Sequence, residues 1–280
     1  MTFCEKPLVK KHGLSELVFI LHKPDKVRHP GVIIVVGGPQ YRVGSHRQFV
    51  YLARLLAANG VPVLRFDYTG MGDSTGVGQN FESINGDIAI AVDTFFEQMP
   101  GMENIILWGL CDAASASGFY ASGDERIKGL VLLNPWVRTE QGESKVFLQD
   151  YYLQRFCSKA FWGKVMSGDV KVAASIKSLS QKILGMFQKE PMPEEGLLPL
   201  PVRVINSLSK FTHPVLFIFS GKDLTAKEFI QLVNTDKNGQ ALMKRNNVSR
   251  VELPDSDHTF SREEWKNQVN SATLNWLKAL

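Results

Sequence analysis

The stretch that decides the fold is an apolar run that turns into a chain of small residues, Ile105-Ile-Leu-Trp-Gly-Leu-Cys-Asp-Ala-Ala-Ser115. Its apolar first half favours a buried strand, and the alanines after it favour a helix. Gly109 and Ala113 lie two positions either side of Cys111, giving the pattern G-x-C-x-A. This is a variant of G-x-S-x-G, in which small residues permit a sharp turn that exposes a nucleophile. We predict that Cys111 is a nucleophile; the alternative is a small buried residue at a strand end.

Strands and helices alternate on both sides of this stretch. After two β-rich runs at 7–10 and 17–21, strands are expected at 32–36, 61–66, 104–108, 129–133, 215–219 and 248–253. Helices are expected near 49–56, 84–96, 113–121, 226–233 and 263–277, and Ser45 with Gln48 forms a capping-box pattern before the first of them. The alternation is typical of an α/β protein with a mostly parallel, doubly wound sheet, whose sites lie at the carboxyl ends of strands.

The alternation stops between the strands at 129–133 and 215–219. Helix-like stretches at 146–156 and 170–187 are followed there by a proline-rich passage at 191–201. We interpret residues 137–212 as an inserted helical cap, with 1–136 and 213–280 forming the core. Aromatic residues of the cap are expected to line an apolar pocket or to pack the cap onto the core: Phe147, Tyr151, Tyr152, Phe156, Phe161 and Trp162.

Composition excludes several classes of protein. The chain has 280 residues, 44% of them hydrophobic, and its net charge of +4 is not gathered in a basic run, which argues against a nucleic-acid partner. Cys4, Cys111 and Cys157 are too scattered for a disulfide framework or a zinc site, so reduced thiols in the cytoplasm are expected. The N-terminal residues lack the apolar segment of a signal peptide, and apolar runs are no longer than strands, which argues against a membrane span. Peripheral membrane contact and the oligomeric state stay open.

A cysteine nucleophile needs a base and a group that orients the base. His258 follows the last predicted strand, where it can reach over the sheet edge to take a proton from Cys111. Asp223 follows the strand at 215–219 and is our choice of orienting acid, with Glu140 and Asp257 as competitors. The predicted catalytic residues are therefore Cys111, Asp223 and His258, in the chain order nucleophile, acid, histidine.

Acyl transfer also needs backbone N–H groups that stabilise an oxyanion. The N–H of Asp112, directly after the nucleophile, is expected to supply one, although its carboxylate would oppose a thiolate if it pointed back toward the sulfur. The second would come from the loop after the strand at 32–36, where Pro39 has no N–H. Gln40 is the preferred donor and Gly38 the reserve.

Three side chains near predicted strand ends are candidates for substrate binding: Tyr41, His46 and Trp136. The loop Asp67-Tyr-Thr-Gly-Met-Gly-Asp-Ser74 is interpreted as structural, with Thr69 in the position of a common arginine. Its glycines do not form a dinucleotide fingerprint, and the sequence contains no phosphate-binding Walker loop. We therefore expect no cofactor and no metal.

Five motifs resemble those of one family: Gly37-Gly-Pro-Gln-Tyr-Arg-Val-Gly-Ser-His-Arg-Gln-Phe49, Arg65-Phe-Asp-Tyr-Thr-Gly-Met-Gly-Asp-Ser74, Trp108-Gly-Leu-Cys-Asp-Ala-Ala-Ser115, Leu132-Leu-Asn-Pro-Trp-Val-Arg138 and Asp257-His-Thr-Phe-Ser261. They resemble exosortase A system-associated hydrolases of type 1, within the α/β-hydrolase superfamily. The resemblance covers the core well and the cap loosely. It implies an α/β-hydrolase fold, a bacterial origin, and a link to exopolysaccharide production and exosortase-dependent sorting, but no particular substrate.

These observations favour hydrolysis of an ester, thioester or related acyl bond of a small molecule, through an acyl-enzyme at Cys111. Transfer of the acyl group to a sugar or amine acceptor is one alternative. A non-catalytic scaffold that keeps the fold is another, and a redox-sensing thiol at Cys111 is the third.

Overall fold

The computed structural model describes residues 2–38, 40–138 and 198–280. The chain divides into two compact units, one of Met1–Val137 with Arg203–Leu280 and one of Arg138–Val202. Most of the second unit lies outside the described residues, as do the predicted cap helices, the aromatic residues of the cap, Pro39, Glu140 and Cys157. The division into core and cap therefore stays a prediction, and the fold below is that of the first unit.

The described strands and helices follow the predicted alternation closely. The strands are β1 (Phe3–His12), β2 (Ser15–Pro24), β3 (Gly31–Val35), β4 (Val63–Phe66), β5 (Ile105–Leu110), β6 (Ile127–Leu133), β7 (Val215–Ser220) and β8 (Val248–Leu253). The helices are α1 (Gln48–Ala58), α2 (Asn85–Gln98), α3 (Asp112–Ala121), α4 (Leu200–Lys210), α5 (Leu224–Thr235), α6 (Lys237–Met243) and α7 (Glu263–Ala279).

All eight described strands form one sheet, in the order β1-β2-β4-β3-β5-β6-β7-β8. The β1–β2 and β2–β4 pairs are antiparallel, and every other pair is parallel. The predicted α/β class with a mostly parallel sheet is confirmed. From β3 the chain runs to β4 on one side and then to β5 on the other, so the order reverses beside β3. In open α/β sheets the crevice at such a reversal is the usual place for a ligand.

Buried side chains attach helices to both faces of the sheet. Trp108 of β5 packs edge-on against Phe49 of α1, and its indole N–H donates to the Thr273 hydroxyl of α7 at 3.4 Å. On the opposite face, Phe95 of α2 covers Gly31, where a Cβ would lie only 2.2 Å from the phenyl ring.

In the described part of the chain, no helix combines the length and hydropathy that a membrane crossing requires.

The start of α1 differs from the prediction. Residues Ser45–Arg47 form a 3-10 turn, α1 begins at Gln48, and Arg47 precedes it with φ of 59° and no side-chain cap. Gln48 is thus the first helical residue rather than the third, and the capping-box prediction is wrong. The physical reason is that His46 and Arg47 both adopt left-handed backbone conformations, which turn the chain before the helix can start.

Candidate active site

Cys111 occupies a strained turn at the end of β5. Its φ of 65° and ψ of −125° lie where residues other than glycine are seldom found, and α3 begins at the next residue. The Cys111 N–H donates to Leu133 O at 2.8 Å, and its carbonyl accepts from the N–H groups of Ala114 and Trp136 at 3.0 and 3.2 Å. These three bonds hold the turn against its strain and leave the side chain half-buried.

Close packing explains the small residues around the turn. A Cβ at Gly109 would lie 2.5 Å from Ala113 O, a separation that real Cβ atoms do not show. The last residues of β5 and the first turn of α3 thus pass within backbone contact of each other. Only glycine at position 109 allows the strand to turn into the helix so sharply.

His258 and Asp223 are hydrogen-bonded, with 2.9 Å between His258 Nδ1 and Asp223 Oδ2. Asp223 also caps α5, because its carboxylate oxygens accept from the N–H groups of Thr225 and Ala226 at 3.1 and 3.2 Å. The Cys111 side chain lies close enough to the imidazole to raise its pKa. The structure therefore brings together the three side chains that the sequence nominated as catalytic.

The charge on His258 follows from these two partners. Burial lowers the pKa of the imidazole, but the hydrogen bond to Asp223, the hydrogen bond to Cys111 and the negative charges of both groups outweigh burial and raise this pKa to about 10. At neutral pH this environment favours an imidazolium.

The competitor Asp257 is hydrogen-bonded within its own turn. Its carboxylate accepts from the N–H of Ser261 at 3.0 Å and from the Ser261 hydroxyl. Burial raises the pKa of Asp257, but these bonds, the N–H of Thr259 and the charge of His46 together lower it. Asp257 thus closes its own turn, and Asp223 is the carboxylate that contacts the imidazole.

A buried polar pair, Asn134 and Ser220, supports the loop that carries His258, and this role was not predicted from the sequence. The Asn134 side chain accepts from Ser220 N–H and donates to Ser220 Oγ, both at 2.9 Å, and donates to His258 O at 3.4 Å. The Ser220 hydroxyl donates to Asp257 O at 2.9 Å. Asn134 and Ser220 are 0% and 1% exposed. The available signal was an asparagine and a serine directly at the ends of two apolar strands, where the sheet has its functional edge.

The predicted oxyanion donors lie in an unexpected arrangement. The Gly38 N–H donates to Asp112 Oδ2 at 2.8 Å, and the Ala113 N–H donates to Asp112 Oδ1 at 2.9 Å. The Asp112 carboxylate therefore faces the backbone of the glycine loop and of α3. The Gln40 side chain accepts from the Ser45 N–H at 3.2 Å and so braces the loop from within.

The candidate substrate-binding residues have different surroundings. Tyr41 is 46% exposed, whereas Trp136 is tied to the nucleophile turn through its bond to Cys111 O. The Ser115 hydroxyl donates to Trp136 O at 2.6 Å and strengthens that attachment. His46 is exposed and lies near enough to Asp257 for its charge to act on that carboxylate. His46 therefore lies beside the turn that carries His258.

The loop from Asp67 to Ser74 has structural contacts. Asp67 is fully buried, accepts from the Arg42 N–H at 2.5 Å and forms an ion pair with the Arg42 guanidinium. Thr69 donates through its N–H and its hydroxyl to Asp87 at 2.8 and 2.9 Å. Because Arg42 belongs to the glycine loop after β3, this ion pair fixes the loop that carries Gly38.

In the described ranges, no three His, Cys, Asp or Glu side chains are grouped to hold a metal ion.

Comparison with known proteins identifies the fold. No family model matches the sequence, and no curated protein matches it. Solved structures do match. The Pyrococcus furiosus esterase Pf2001 superposes with a TM-score of 0.67 at 15% identity, covering 99% of this chain and 91% of its own.

Two further structures agree with this match. Est1E from Butyrivibrio proteoclasticus, determined with ferulic acid bound, has a TM-score of 0.62 at 16% identity and covers 97% of this chain and 98% of its own. The Pyrococcus horikoshii acylaminoacyl peptidase has a TM-score of 0.63 at 14% identity over 99% of this chain and 41% of its own. At these identities the similarity establishes the fold alone. The fold is that of the α/β hydrolases, as the sequence predicted.

Proposed function

We propose that this protein is a hydrolase that cleaves an ester, thioester or related acyl bond through an acyl-enzyme at Cys111. One observation carries the proposal: a cysteine on a strained strand-to-helix turn contacts a histidine that is hydrogen-bonded to a buried aspartate. This arrangement can form and discharge a covalent intermediate. The proximity of His258 to Cys111 favours an enzyme over a non-catalytic scaffold, because a scaffold does not require these two side chains to lie close together.

The reaction begins with attack of the Cys111 thiolate on the acyl carbon. A carbon–sulfur bond forms and the carbonyl π electrons move to the oxygen, giving a tetrahedral oxyanion. When the oxyanion collapses, the leaving group departs with a proton from the His258 imidazolium and a thioester remains. Neutral His258 then takes a proton from water, whose hydroxide adds to the thioester, and expulsion of the thiolate releases the acid and restores the enzyme.

The surrounding residues have separate roles in this proposal. Asp223 orients the imidazole and stabilises its charge, as the acid of a triad does. Backbone N–H groups of Asp112, Gly38 and Gln40 are the proposed oxyanion donors. Tyr41, His46 and Trp136 are the proposed substrate contacts. The substrate is proposed to be a small acyl compound, which agrees with the similarity in fold to the Pyrococcus furiosus esterase Pf2001.

The biological setting is proposed on the sequence resemblance. Motifs around Gly37, Arg65, Trp108, Leu132 and Asp257 support membership of the exosortase A system-associated hydrolases, and the scattered cysteines support a cytoplasmic location. We expect the gene to lie beside exopolysaccharide or exosortase genes, and its deletion to alter the acylation or yield of an extracellular polysaccharide. Normal polysaccharide in the deletion strain would contradict this setting without affecting the proposed chemistry.

Replacement of the nucleophile tests the proposed chemistry. We expect Cys111→Ala to lower turnover of p-nitrophenyl esters by at least about a thousandfold, because it removes the group that holds the acyl intermediate. Intact-mass measurement should find an acyl adduct in the wild type and none in the variant. Cys4→Ala, which removes an exposed thiol, is the matched control and should leave both readouts unchanged.

Unchanged ester turnover by Cys111→Ala would contradict the proposal. Adding sugar or amine acceptors to the wild-type reaction separates hydrolysis from its alternative. Release of free acid at the same rate with and without acceptors supports hydrolysis. Acylated acceptor as the main product would replace hydrolysis by acyl transfer.

A further inference from the structure

The Asp112 carboxylate lies in a backbone site built for an anion. Asp112 Oδ2 accepts from the Gly38 N–H at 2.8 Å and Asp112 Oδ1 accepts from the Ala113 N–H at 2.9 Å. The N–H of Asp112 itself also stabilises the carboxylate. Donors from two separate elements, the loop after β3 and the start of α3, therefore converge on one side chain.

The glycine loop is shaped around this carboxylate. A Cβ at Gly37 would lie 2.0 Å from Asp112 Oδ1 and 2.8 Å from Ala113 N. The two elements come this close because β3 and β5 are neighbours with Val35 paired to Gly109, so the chain segments after both strands end side by side. Absence of a side chain at position 37 is what leaves room for the carboxylate.

Two of the groups that stabilise the carboxylate are also groups that acyl chemistry at Cys111 requires. An oxyanion hole in this fold is made by the N–H after the nucleophile and an N–H from the loop after the early strand. In this protein those positions belong to Asp112 and to the loop of Gly38. A tetrahedral intermediate at Cys111 would therefore compete with the Asp112 carboxylate for the N–H groups of Asp112 and Gly38. The carboxylate and the oxyanion cannot use the same N–H groups at once, because the two negative charges repel each other and would have to divide the available hydrogen bonds.

We infer that the Asp112 carboxylate occupies the oxyanion site of the free enzyme and must leave it before Cys111 can be acylated. This inference rests on the proposed function. Asp112 is then a positioning residue that sets the rate of acylation without taking part in the bond changes. Burial raises the pKa of Asp112, although the N–H groups of Gly38, Ala113 and Asp112 and the charge of His258 oppose the shift.

Two reactions of Cys111 distinguish this role from a structural one. Acylation by p-nitrophenyl acetate passes through an oxyanion, whereas alkylation by iodoacetamide does not. We expect Asp112→Ala to raise the ratio of the acylation rate to the alkylation rate by at least about tenfold over the wild type, since one oxyanion donor is worth that much or more. Asp112→Asn should raise it less, because its amide keeps one acceptor oxygen. Asp93→Asn, an exposed carboxylate paired with Arg126, is the charge control and should not change the ratio.

Each outcome decides the question. A raised ratio in Asp112→Ala, or in Asp112→Asn if the alanine variant does not fold by circular dichroism, supports the inference. Normal acylation of the wild type with an unchanged or lower ratio in the folded variants overturns it and leaves the proposed function intact. Normal alkylation of every protein without any acylation overturns the proposed function, and the inference with it.

Discussion

At the scale of single residues, the chemistry depends on the charge balance around His258. The imidazole lies between the Asp223 carboxylate and the Cys111 sulfur, and both neighbours stabilise its protonated form against the effect of burial. This charge balance supports the proposal that Cys111 is the nucleophile, in a position that usually carries serine.

Removing the Asp223 charge should lower the pKa of His258. In Asp223→Asn we expect this pKa to fall from about 10 toward its ordinary value of 6.5, because one of the two groups that stabilise the imidazolium has lost its charge. Titration of the imidazole protons by NMR measures the change. Asp255→Asn, an exposed carboxylate paired with Lys222 on the neighbouring turn, is the control. An unchanged pKa of His258 in Asp223→Asn would show that the charge of Asp223 does not control the protonation of the imidazole.

At the scale of elements, the junction between β5 and α3 carries the proposed nucleophile, Cys111. The strand ends with Leu110, the helix begins with Asp112, and Cys111 alone absorbs the change of direction with its positive φ. Hydrogen bonds that join Cys111 to Leu133 of β6 and to Trp136 after it attach this junction to the neighbouring strand. Strain at a functional residue persists only where such surroundings enforce it.

Gly109→Ala should disturb this junction. The added methyl would lie 2.5 Å from Ala113 O, so strand and helix must separate, and we expect the free energy of unfolding to fall by about 1–3 kcal/mol. Urea denaturation measures this loss, and slower alkylation of Cys111 by iodoacetamide should accompany it. Gly123→Ala is the matched control, because its Cβ would meet its nearest neighbour, Tyr120 O, at an ordinary 3.7 Å. Equal stability of the two variants would contradict the close packing at the turn.

At the scale of the whole molecule, the sheet order assembles the site from distant parts of the chain. Asp223 follows β7, His258 follows β8 and Cys111 follows β5, so all three emerge at the carboxyl ends of parallel strands. Asn134 at the end of β6 links β7 to the histidine loop through Ser220 and His258. Folding of the sheet and assembly of the site are therefore one event, and the charges of the site contribute to global stability.

Global stability should therefore depend on pH through His258. Its pKa is raised in the folded state, so its contribution is fully present below the ordinary value of 6.5 and is lost as the pH rises through about 10. We expect His258→Gln to lower the free energy of unfolding most below pH 6.5 and to have no such effect above about pH 10. Urea denaturation at both pH values measures the change. His213→Gln is the contrasting control, because burial and Lys128 lower the pKa of that histidine. Its effect should not shrink as the pH rises. A pH-independent effect of His258→Gln would contradict this coupling.

Much of the fold could be predicted from local pattern. Apolar runs such as that of β3 and the helical spacing of α1 depend on short-range periodicity, which is visible in the chain itself. The order Cys111, Asp223, His258 was readable because each follows a predicted strand. Helix α6 was not predicted, since it is short and polar and its start rests on the Asp236 side chain, which accepts from Gly239 N–H at 2.8 Å. The capping box predicted at Ser45 does not form, because His46 and Arg47 adopt left-handed backbone conformations that no sequence pattern indicates.

The sequence by itself determined the α/β class and the strand-to-helix turn at Cys111, and it supplied the proposed acid and base, because each is read from a strand and the residues directly after it. Only the tertiary structure decided where the Asp112 carboxylate points and what supports His258. The Gly38–Asp112 bond joins residues 74 positions apart, and the Asn134–His258 bond joins residues 124 positions apart. Such contacts exist only after β3, β5, β6 and β7 take their places in the sheet, and no local pattern encodes the distance between their ends.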